Sequence, residues 1–169
     1  MGKHQPGTSL RKHLQDLLRM KGAHLTFDDA IADFPAHLRG VKPPGSPHTA
    51  WQLLEHMRIA QEDILDFSRN PKYQEKKFPD DYWPAETPPS DKAWDKSVGQ
   101  FQSDLKEMLA LISDTKNDLL AAIPHGQGQT LLREALLTAD HNAYHLGQLV
   151  ILRKMLEASK GAGPAEAAR

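Results

Sequence analysis

Most of this chain repeats apolar residues at alternating spacings of three and four, and that period confines it to α-helices. The clearest example is the segment 49–69, whose apolar stripe is Ala50, Leu53, Leu54, Met57, Ala60, Ile64 and Phe67. No segment shows the strict alternation of apolar and polar residues that predicts a half-buried strand. The pattern predicts helices over 8–20, 26–34, 49–69, 90–123 and 130–156. The sequence is therefore expected to fold as an all-α protein.

Four of the five predicted helices are long, and each must bury its apolar stripe against other helices. With 169 residues, the chain has the length of a single domain with one hydrophobic core. We predict a four-helix bundle of the antiparallel type, with its core over about residues 8–157 and the short helix 26–34 as an extra N-terminal helix. Residues 158–169 are expected to form a flexible tail.

The segment 70–89 interrupts the helical pattern with a series of prolines, which are Pro71, Pro79, Pro84, Pro88 and Pro89. The aromatic residues Phe78, Tyr82 and Trp83 lie between them. Loops of this length in compact domains are usually functional or disordered. Aromatic residues argue against disorder, because disordered segments contain few of them. We predict an ordered Pro/aromatic loop, called the strap below, that covers one end of the bundle.

Composition and charge exclude several classes of function. The 21 Lys and Arg residues and the 22 Asp and Glu residues nearly cancel and are interspersed, which argues against binding to nucleic acid or to an anionic membrane. The chain contains no cysteine, so it has no disulfide, no thiolate ligand and no cysteine nucleophile. We find no secretory signal and no apolar run near the ~20 residues of a membrane span. These features predict a soluble, cytoplasmic protein.

His141 and His145 are four residues apart in a predicted helix, so their imidazoles lie on one face, one turn apart. Two neutral imidazoles so placed can bind one divalent metal ion. The best candidate for a third ligand is His56, on the flank of the apolar stripe of the segment 49–69. Three histidine ligands leave a coordination position for water or substrate, as in catalytic sites. The alternative interpretation is a pair of partly buried histidines that are hydrogen-bonded to their neighbours.

Polar residues near these histidines are candidates for proton transfer or for orienting the ligands. Glu134 shares the helix face of the two histidines and is the candidate catalytic acid. Asp140, Gln148 and Glu55 are near enough in sequence to be hydrogen-bond partners of the ligands. The remaining six histidines have no partner at ligand spacing, and we expect them to lie on helix surfaces and loops.

Two strings of residues resemble the DinB/YfiT-like superfamily of bacterial metal-binding four-helix bundles. One is Trp51-Gln-Leu-Leu-Glu-His56, and the other is His141-Asn-Ala-Tyr-His145-Leu-Gly-Gln. The Tyr-Trp-Pro sequence at 82–84 in the strap also resembles the family. The resemblance implies a divalent ion, reported as zinc, nickel or manganese among members, with His56, His141 and His145 as its ligands. It also implies a homodimer, since members often form one.

The resemblance narrows the function only to a few classes. Some relatives resemble metal-dependent thiol S-transferases that use a low-molecular-weight thiol such as bacillithiol or mycothiol, and others resemble thiol-dependent isomerases. We expect a metal-dependent enzyme that acts on a small molecule. It is either a thiol transferase, whose strap around Trp83 encloses the electrophile, or a hydrolase, in which Glu134 shuttles protons. The alternatives are a non-enzymatic metal-binding or stress-response module and a structural bundle with no bound metal.

Overall fold

The computed structural model describes residues 6–88 and 90–161, and these residues form five α-helices. The helices are α1 (Pro6–Leu18), α2 (Phe27–Ile31), α3 (Ala50–Arg69), α4 (Asp91–Ser113) and α5 (Leu131–Gly161). A single 3-10 turn, Ala36–Leu38, follows α2. The described part of the chain contains no strand, although one isolated bridge pairs Ala122 with Thr130. The prediction of an all-α fold with four long helices and one short helix is confirmed.

The four long helices form a bundle in which α1 and α3 occupy opposite corners. α3 packs against α4 and α5, and α1 packs against the same two helices from the other side. Side chains from three of the helices are fully buried at the centre, among them Leu54, Met57, Phe101, Met108, Ile112 and Leu149. Burying each large apolar side chain stabilises the fold by about 1.5–3 kcal/mol, so this core holds the bundle together.

Side-chain caps begin α3, α4 and α5 at the first residues of the predicted segments 49–69, 90–123 and 130–156. Thr49 Oγ1 accepts the backbone N–H of Gln52, and the Gln52 side chain accepts the backbone N–H of Thr49. This reciprocal capping box fixes the first turn of α3, the helix that carries His56. The hydroxyl of Ser90 accepts the backbone N–H of Ala93 at the start of α4, and the hydroxyl of Thr130 accepts the backbone N–H of Arg133 at the start of α5.

α4 ends ten residues earlier than its apolar pattern predicts, at Ser113 rather than near 123. Two sets of contacts hold this end: the Arg11 guanidinium of α1 donates hydrogen bonds to the carbonyl oxygens of Ile112, Asp114 and Asn117, and the Asn117 side chain donates to the carbonyl oxygen of Leu111. A helix end leaves its last carbonyls without partners, and a basic side chain that bonds them stabilises the end. Apolar residues beyond the helix still reach the core, namely Leu119 and Ile123.

α5 is the longest helix and continues to Gly161, past the predicted end of the bundle core. The remainder of the expected tail, 162–169, lies outside the described residues. Apolar residues occur on the outward face of α5 as well as on its core face, since Tyr144, Ile151 and Met155 are exposed. Among the described residues, no helix combines the length and the apolar character needed to cross a membrane.

The strap is fastened along α3 by hydrogen bonds at successive turns of the helix. The bonds to its backbone are Thr49 Oγ1 to Glu86 O at 2.7 Å, Gln52 Nε2 to Pro84 O at 3.2 Å, and His56 Nδ1 to Tyr82 O at 3.0 Å. Farther along the helix, the Asp63 carboxylate accepts hydrogen bonds from the hydroxyls of Tyr73 and Tyr82. The strap therefore lies beside His56 and follows α3 rather than only covering one end of the bundle.

Candidate metal centre

Three histidines from two helices converge in the bundle, and they are called the histidine triad below. His56 comes from α3, and His141 and His145 come from α5. The Nε2 atom of His56 lies 3.2 Å from Nε2 of His145 and 3.1 Å from Nε2 of His141. Among the described residues, no other set of three His, Asp or Glu side chains is grouped closely enough to hold a metal ion. The structure brings together the three residues that the sequence suggests as ligands.

The strap fixes both the orientation and the tautomer of His56. The ring is buried, and its Nδ1 lies 3.0 Å from the carbonyl oxygen of Tyr82. A carbonyl oxygen can only accept, so the proton of the neutral ring must be on Nδ1. The indole of Trp83 stacks on the imidazole, with ring centroids 3.9 Å apart and planes 3° apart. His56 consequently presents an unprotonated Nε2 to the other two histidines.

His145 is held in the same tautomer by a residue of its own helix. Its Nδ1 donates a hydrogen bond of 2.9 Å to Oε1 of Gln148, which lies one turn farther along α5. Nε2 of His145 is therefore also unprotonated when the ring is neutral. The other two residues considered as partners lie elsewhere: Asp140 is exposed, and Glu55 forms an ion pair with Arg58.

The arrangement of ring nitrogens fits a divalent cation. Two unprotonated Nε2 atoms that face each other at 3.2 Å cannot form a hydrogen bond, since neither carries a proton. A cation between them removes the repulsion of the lone pairs. Nitrogens bound to one tetrahedral zinc ion at about 2.0–2.1 Å are about 3.3 Å apart, close to the two spacings found here. Nδ1 of His141 is buried and has no hydrogen-bond partner among the described residues, so its ring is the least restrained of the three.

Burial keeps the triad in the neutral form that metal binding requires. Burial, reinforced by the neighbouring His145 and His48, lowers the pKa of His56 to about 4, and only the bond to Tyr82 opposes this shift. Burial and the two neighbouring histidines lower the pKa of His141 to about 4. Burial lowers the pKa of His145 as well. All three rings are consequently neutral at pH 7.

A cavity of about 440 Å³ opens beside the triad, and we call it the triad cavity. Its apolar walls are formed by Ala60, Ile64, Phe78, Trp83 and Leu137. The polar residues that line it are the three histidines, Asp63 and Tyr82. A pocket with mostly apolar walls and a few convergent polar groups is typical of a small-molecule site.

Glu134, the candidate catalytic acid, lines a different cavity. Its side chain is 2% exposed, and its Oε1 accepts a hydrogen bond of 2.8 Å from Arg133. This second cavity, which we call the outer cavity, has a volume of about 610 Å³. The two cavities adjoin, because they share the lining residues Asp63, Ile64, Tyr82 and Leu137. The proton-transfer role of Glu134 stays a prediction.

Two residues at the site are not among the ligands and acids predicted from the sequence. Asp63 follows His56 by seven residues, so the helical period already places both on one face of α3, and this signal was available. His48 stacks on Trp83 with ring centroids 3.9 Å apart, on the face opposite His56. His48 lies before α3 and Trp83 lies in the strap, so no helical spacing relates the two residues.

A family model of the DinB superfamily matches residues 19–149 of the chain. The matched segment includes all three residues of the triad and the whole strap. No curated protein and no solved structure is significantly similar to the chain. Because the match covers well over half of the sequence, the chain belongs to the DinB superfamily.

Proposed function

We propose that the histidine triad of this DinB superfamily member binds one divalent metal ion and that the protein is a metal-dependent enzyme acting on a small molecule. The observation that carries the proposal is the 3.2 Å spacing between Nε2 of His56 and Nε2 of His145, because the Nδ1 contacts of both rings with oxygen atoms leave these Nε2 atoms without a proton. The low pKa values of His56 and His141 support it, because protons compete poorly for these nitrogens. The adjoining triad cavity provides room for a substrate.

The donor set favours zinc or nickel over manganese. All three candidate ligands are imidazoles, which suit zinc and nickel, whereas manganese prefers carboxylate and water oxygens. Asp63, the acid that lines the triad cavity, already accepts hydrogen bonds from Tyr73 and Tyr82 with its two oxygens. A site of three nitrogens with an open position is therefore the arrangement that we propose.

Thiol transfer suits this site better than hydrolysis does. A bound divalent ion supplies positive charge that stabilises a thiolate or lowers the pKa of a bound water. Hydrolysis also needs a group that moves protons, and neither acid is well placed for this task. Asp63 is bonded to two tyrosine hydroxyls, and Glu134 lines the outer cavity. The apolar walls of the triad cavity, by contrast, suit an electrophile with little polar surface.

In the proposed reaction, the chain's own residues bind and shield the reactants. The chain contains no cysteine, so the sulfur comes from a low-molecular-weight thiol cosubstrate. Trp83 covers one face of His56 and forms part of the cavity wall, where it excludes water from the reacting atoms. Phe78 lines the same cavity but is 77% exposed, which places it at the mouth.

The test is a thiol-transfer assay with the zinc-loaded and the nickel-loaded protein. A panel of low-molecular-weight thiols is combined with an aryl chloride, so that a carbon–sulfur bond forms as chloride leaves and the proton of the thiol passes to the buffer. We expect turnover with at least one thiol, and loss of turnover on chelation and in His145→Ala. The control is His24→Ala, which alters an exposed histidine outside both cavities.

Two other results would contradict the proposal in different ways. Stoichiometric metal without turnover against a broad panel of electrophiles would favour a non-enzymatic metal-binding module. Absence of bound metal, with stability unchanged by chelation, would favour a structural bundle.

We also propose that the outward face of α5 pairs with a second copy of the chain. Tyr144, Ile151 and Met155 are exposed along one side of this helix, at spacings that place them in one row. Gly147 lies in the same row, and no atom is found within 4 Å of the position that a Cβ would take there. An exposed apolar row with a small residue at its centre suits close helix packing. Light scattering should find a dimer that Ile151→Glu dissociates and that Leu120→Glu, at an exposed leucine outside α5, does not.

A further inference from the structure

The outer cavity adjoins the triad cavity but has a different chemical character. The triad cavity is walled mainly by apolar side chains. The outer cavity is lined by three carboxylates, from Asp63, Glu75 and Glu134, and by the single guanidinium of Arg133. The amide side chains of Gln127 and Gln129 also line the outer cavity. The outer cavity therefore carries a net negative charge, which favours a cationic occupant.

Glu134 is the buried carboxylate of this cavity. Its side chain is 2% exposed, although a carboxylate is rarely buried without full compensation. The first turn of α5 favours a negative charge at this position, and Arg133 donates to Oε1 at 2.8 Å. Arg133 is the one described residue that donates a hydrogen bond to the Glu134 carboxylate, and the side chain lines the outer cavity. A carboxylate in this position can accept a further hydrogen bond from an ammonium group of a ligand.

The position of Glu134 relative to the triad sets the length of such a ligand. Glu134 precedes His141 by seven residues on the same helix, which corresponds to about 10 Å along the axis at 1.5 Å per residue. The two residues lie on one side of α5, since seven residues make about two turns. Asp63 and Tyr82 line both cavities, so a molecule that reaches from one cavity to the other passes these two side chains.

From these observations we infer that the substrate or cosubstrate is an elongated small molecule with a metal-binding donor at one end and a protonated amine at the other. The donor end occupies the triad cavity, and the ammonium group bonds to Glu134 in the outer cavity. The inference rests on the proposed function, which puts the reactive end of the molecule at the triad. It assigns the other end, the ammonium group, to a binding site at Glu134. Glu134 is then a binding residue for the amine rather than the proton shuttle of a hydrolase.

The test uses the zinc-loaded protein and three series of thiols of increasing chain length, which end in an amine, a hydroxyl or a methyl group. Affinity is measured by isothermal titration calorimetry. We expect an aminoalkanethiol of suitable length to bind roughly tenfold more tightly than the hydroxyl and methyl analogues of equal length, the effect of one charge-assisted hydrogen bond. Glu134→Gln should remove this preference. Glu157→Gln should keep it, and this control alters a glutamate of the same helix that is likewise paired with an arginine.

The outcomes test the inference about Glu134 and the proposed function separately. Equal affinity for the amine, hydroxyl and methyl series, or an amine preference that persists in Glu134→Gln, would overturn the inference while leaving the proposed function intact. Failure of all the thiols to bind the zinc-loaded protein would overturn both. If Glu134→Gln does not fold, Arg133→Ala provides a second test, because removal of the competing guanidinium should strengthen aminoalkanethiol binding. Unchanged amine affinity in Arg133→Ala would then refute the role of Glu134.

Discussion

The hydroxyl of Tyr82 is predicted to control the metal affinity of the triad although it is not a ligand. Tyr82 contacts α3 twice: its hydroxyl donates to Asp63 at 2.6 Å, and its carbonyl oxygen accepts the Nδ1 proton of His56 at 3.0 Å. Burial and the bond to Asp63 raise the pKa of Tyr82 well above its usual range, so the hydroxyl stays protonated and donates. Loss of this donor in Tyr82→Phe frees the part of the strap that fixes the tautomer of His56.

The chain offers a closely matched control for this change. Tyr73 donates to the other oxygen of the same Asp63 carboxylate at 3.0 Å, and burial together with that bond raises its pKa to about 12. Tyr73 has no contact with the triad cavity. Tyr73→Phe therefore removes a hydrogen bond of the same type, to the same residue, without releasing the carbonyl that bonds His56.

The size of the effect follows from these contacts. A hydrogen bond to a charged group contributes about 1.5–3 kcal/mol, and loss of a residue that orients a metal ligand lowers metal affinity about 10- to 100-fold. We expect Tyr82→Phe to weaken zinc binding about tenfold, which corresponds to about 1.4 kcal/mol, and Tyr73→Phe to weaken it about twofold or less. Asp63→Asn, which weakens both bonds, should resemble Tyr82→Phe.

The assay is a competitive zinc titration against a chromophoric chelator near neutral pH, with the stability of each metal-free variant measured in parallel. A merely structural role for the tyrosines would lower stability in both variants and leave both zinc affinities unchanged. Equal zinc affinities for Tyr82→Phe, Tyr73→Phe and the unaltered protein would therefore refute the reasoning.

The contacts of Gln148, the burial of the histidines and the bonds of Arg11 each lead to a further prediction. Gln148→Leu should lower zinc affinity by about tenfold, because the Nδ1 proton of His145 loses its acceptor; a zinc titration with unchanged affinity would show that Gln148 is dispensable. The metal-free protein should lose stability, measured by urea unfolding, as the pH falls from 6.5 toward about 4, because the unfolded chain then binds protons that His56 and His141 exclude in the fold. This loss should be smaller in the variant His56→Ala, His141→Ala, and an equal loss in both proteins would assign the pH dependence to other groups. Arg11→Ala should destabilise the fold by about 1–3 kcal/mol, because carbonyls at the end of α4 lose their donor. In this variant, hydrogen exchange should become faster at the end of α4 than in the unaltered protein, and it should stay unchanged at the end of α3.

The sequence predicts those features of the molecule that depend on the helical period. The spacing of His141 and His145, the flank position of His56 and the capping box of Thr49 are all local properties, and the structure agrees with each of them. The period also places Glu134 on the side of the two histidines. The period does not reveal that this face of α5 lines two cavities. Glu134 lines the outer cavity, the two histidines line the triad cavity, and Leu137 between them lines both.

The features that the sequence does not predict depend on contacts between distant segments. The end of α4 at Ser113 is held in part by Arg11, from the first helix, and no pattern within α4 predicts that contact. The strap has no period at all, so the bonds from Tyr82 to Asp63 and from His56 to Tyr82 could not be read from its composition. These contacts set the tautomer of His56 and with it the chemistry of the site.

The most direct test of the central claim is the metal content of the purified, tag-free protein beside the variant His56→Ala, His141→Ala. Elemental analysis is made on both proteins after exposure to zinc near neutral pH and removal of the excess. We expect about one divalent ion per chain in the unaltered protein and none in the variant, since one ion requires the converging nitrogens of the triad. A full equivalent of metal in the variant, or no metal in the unaltered protein, would show that the triad does not bind the ion.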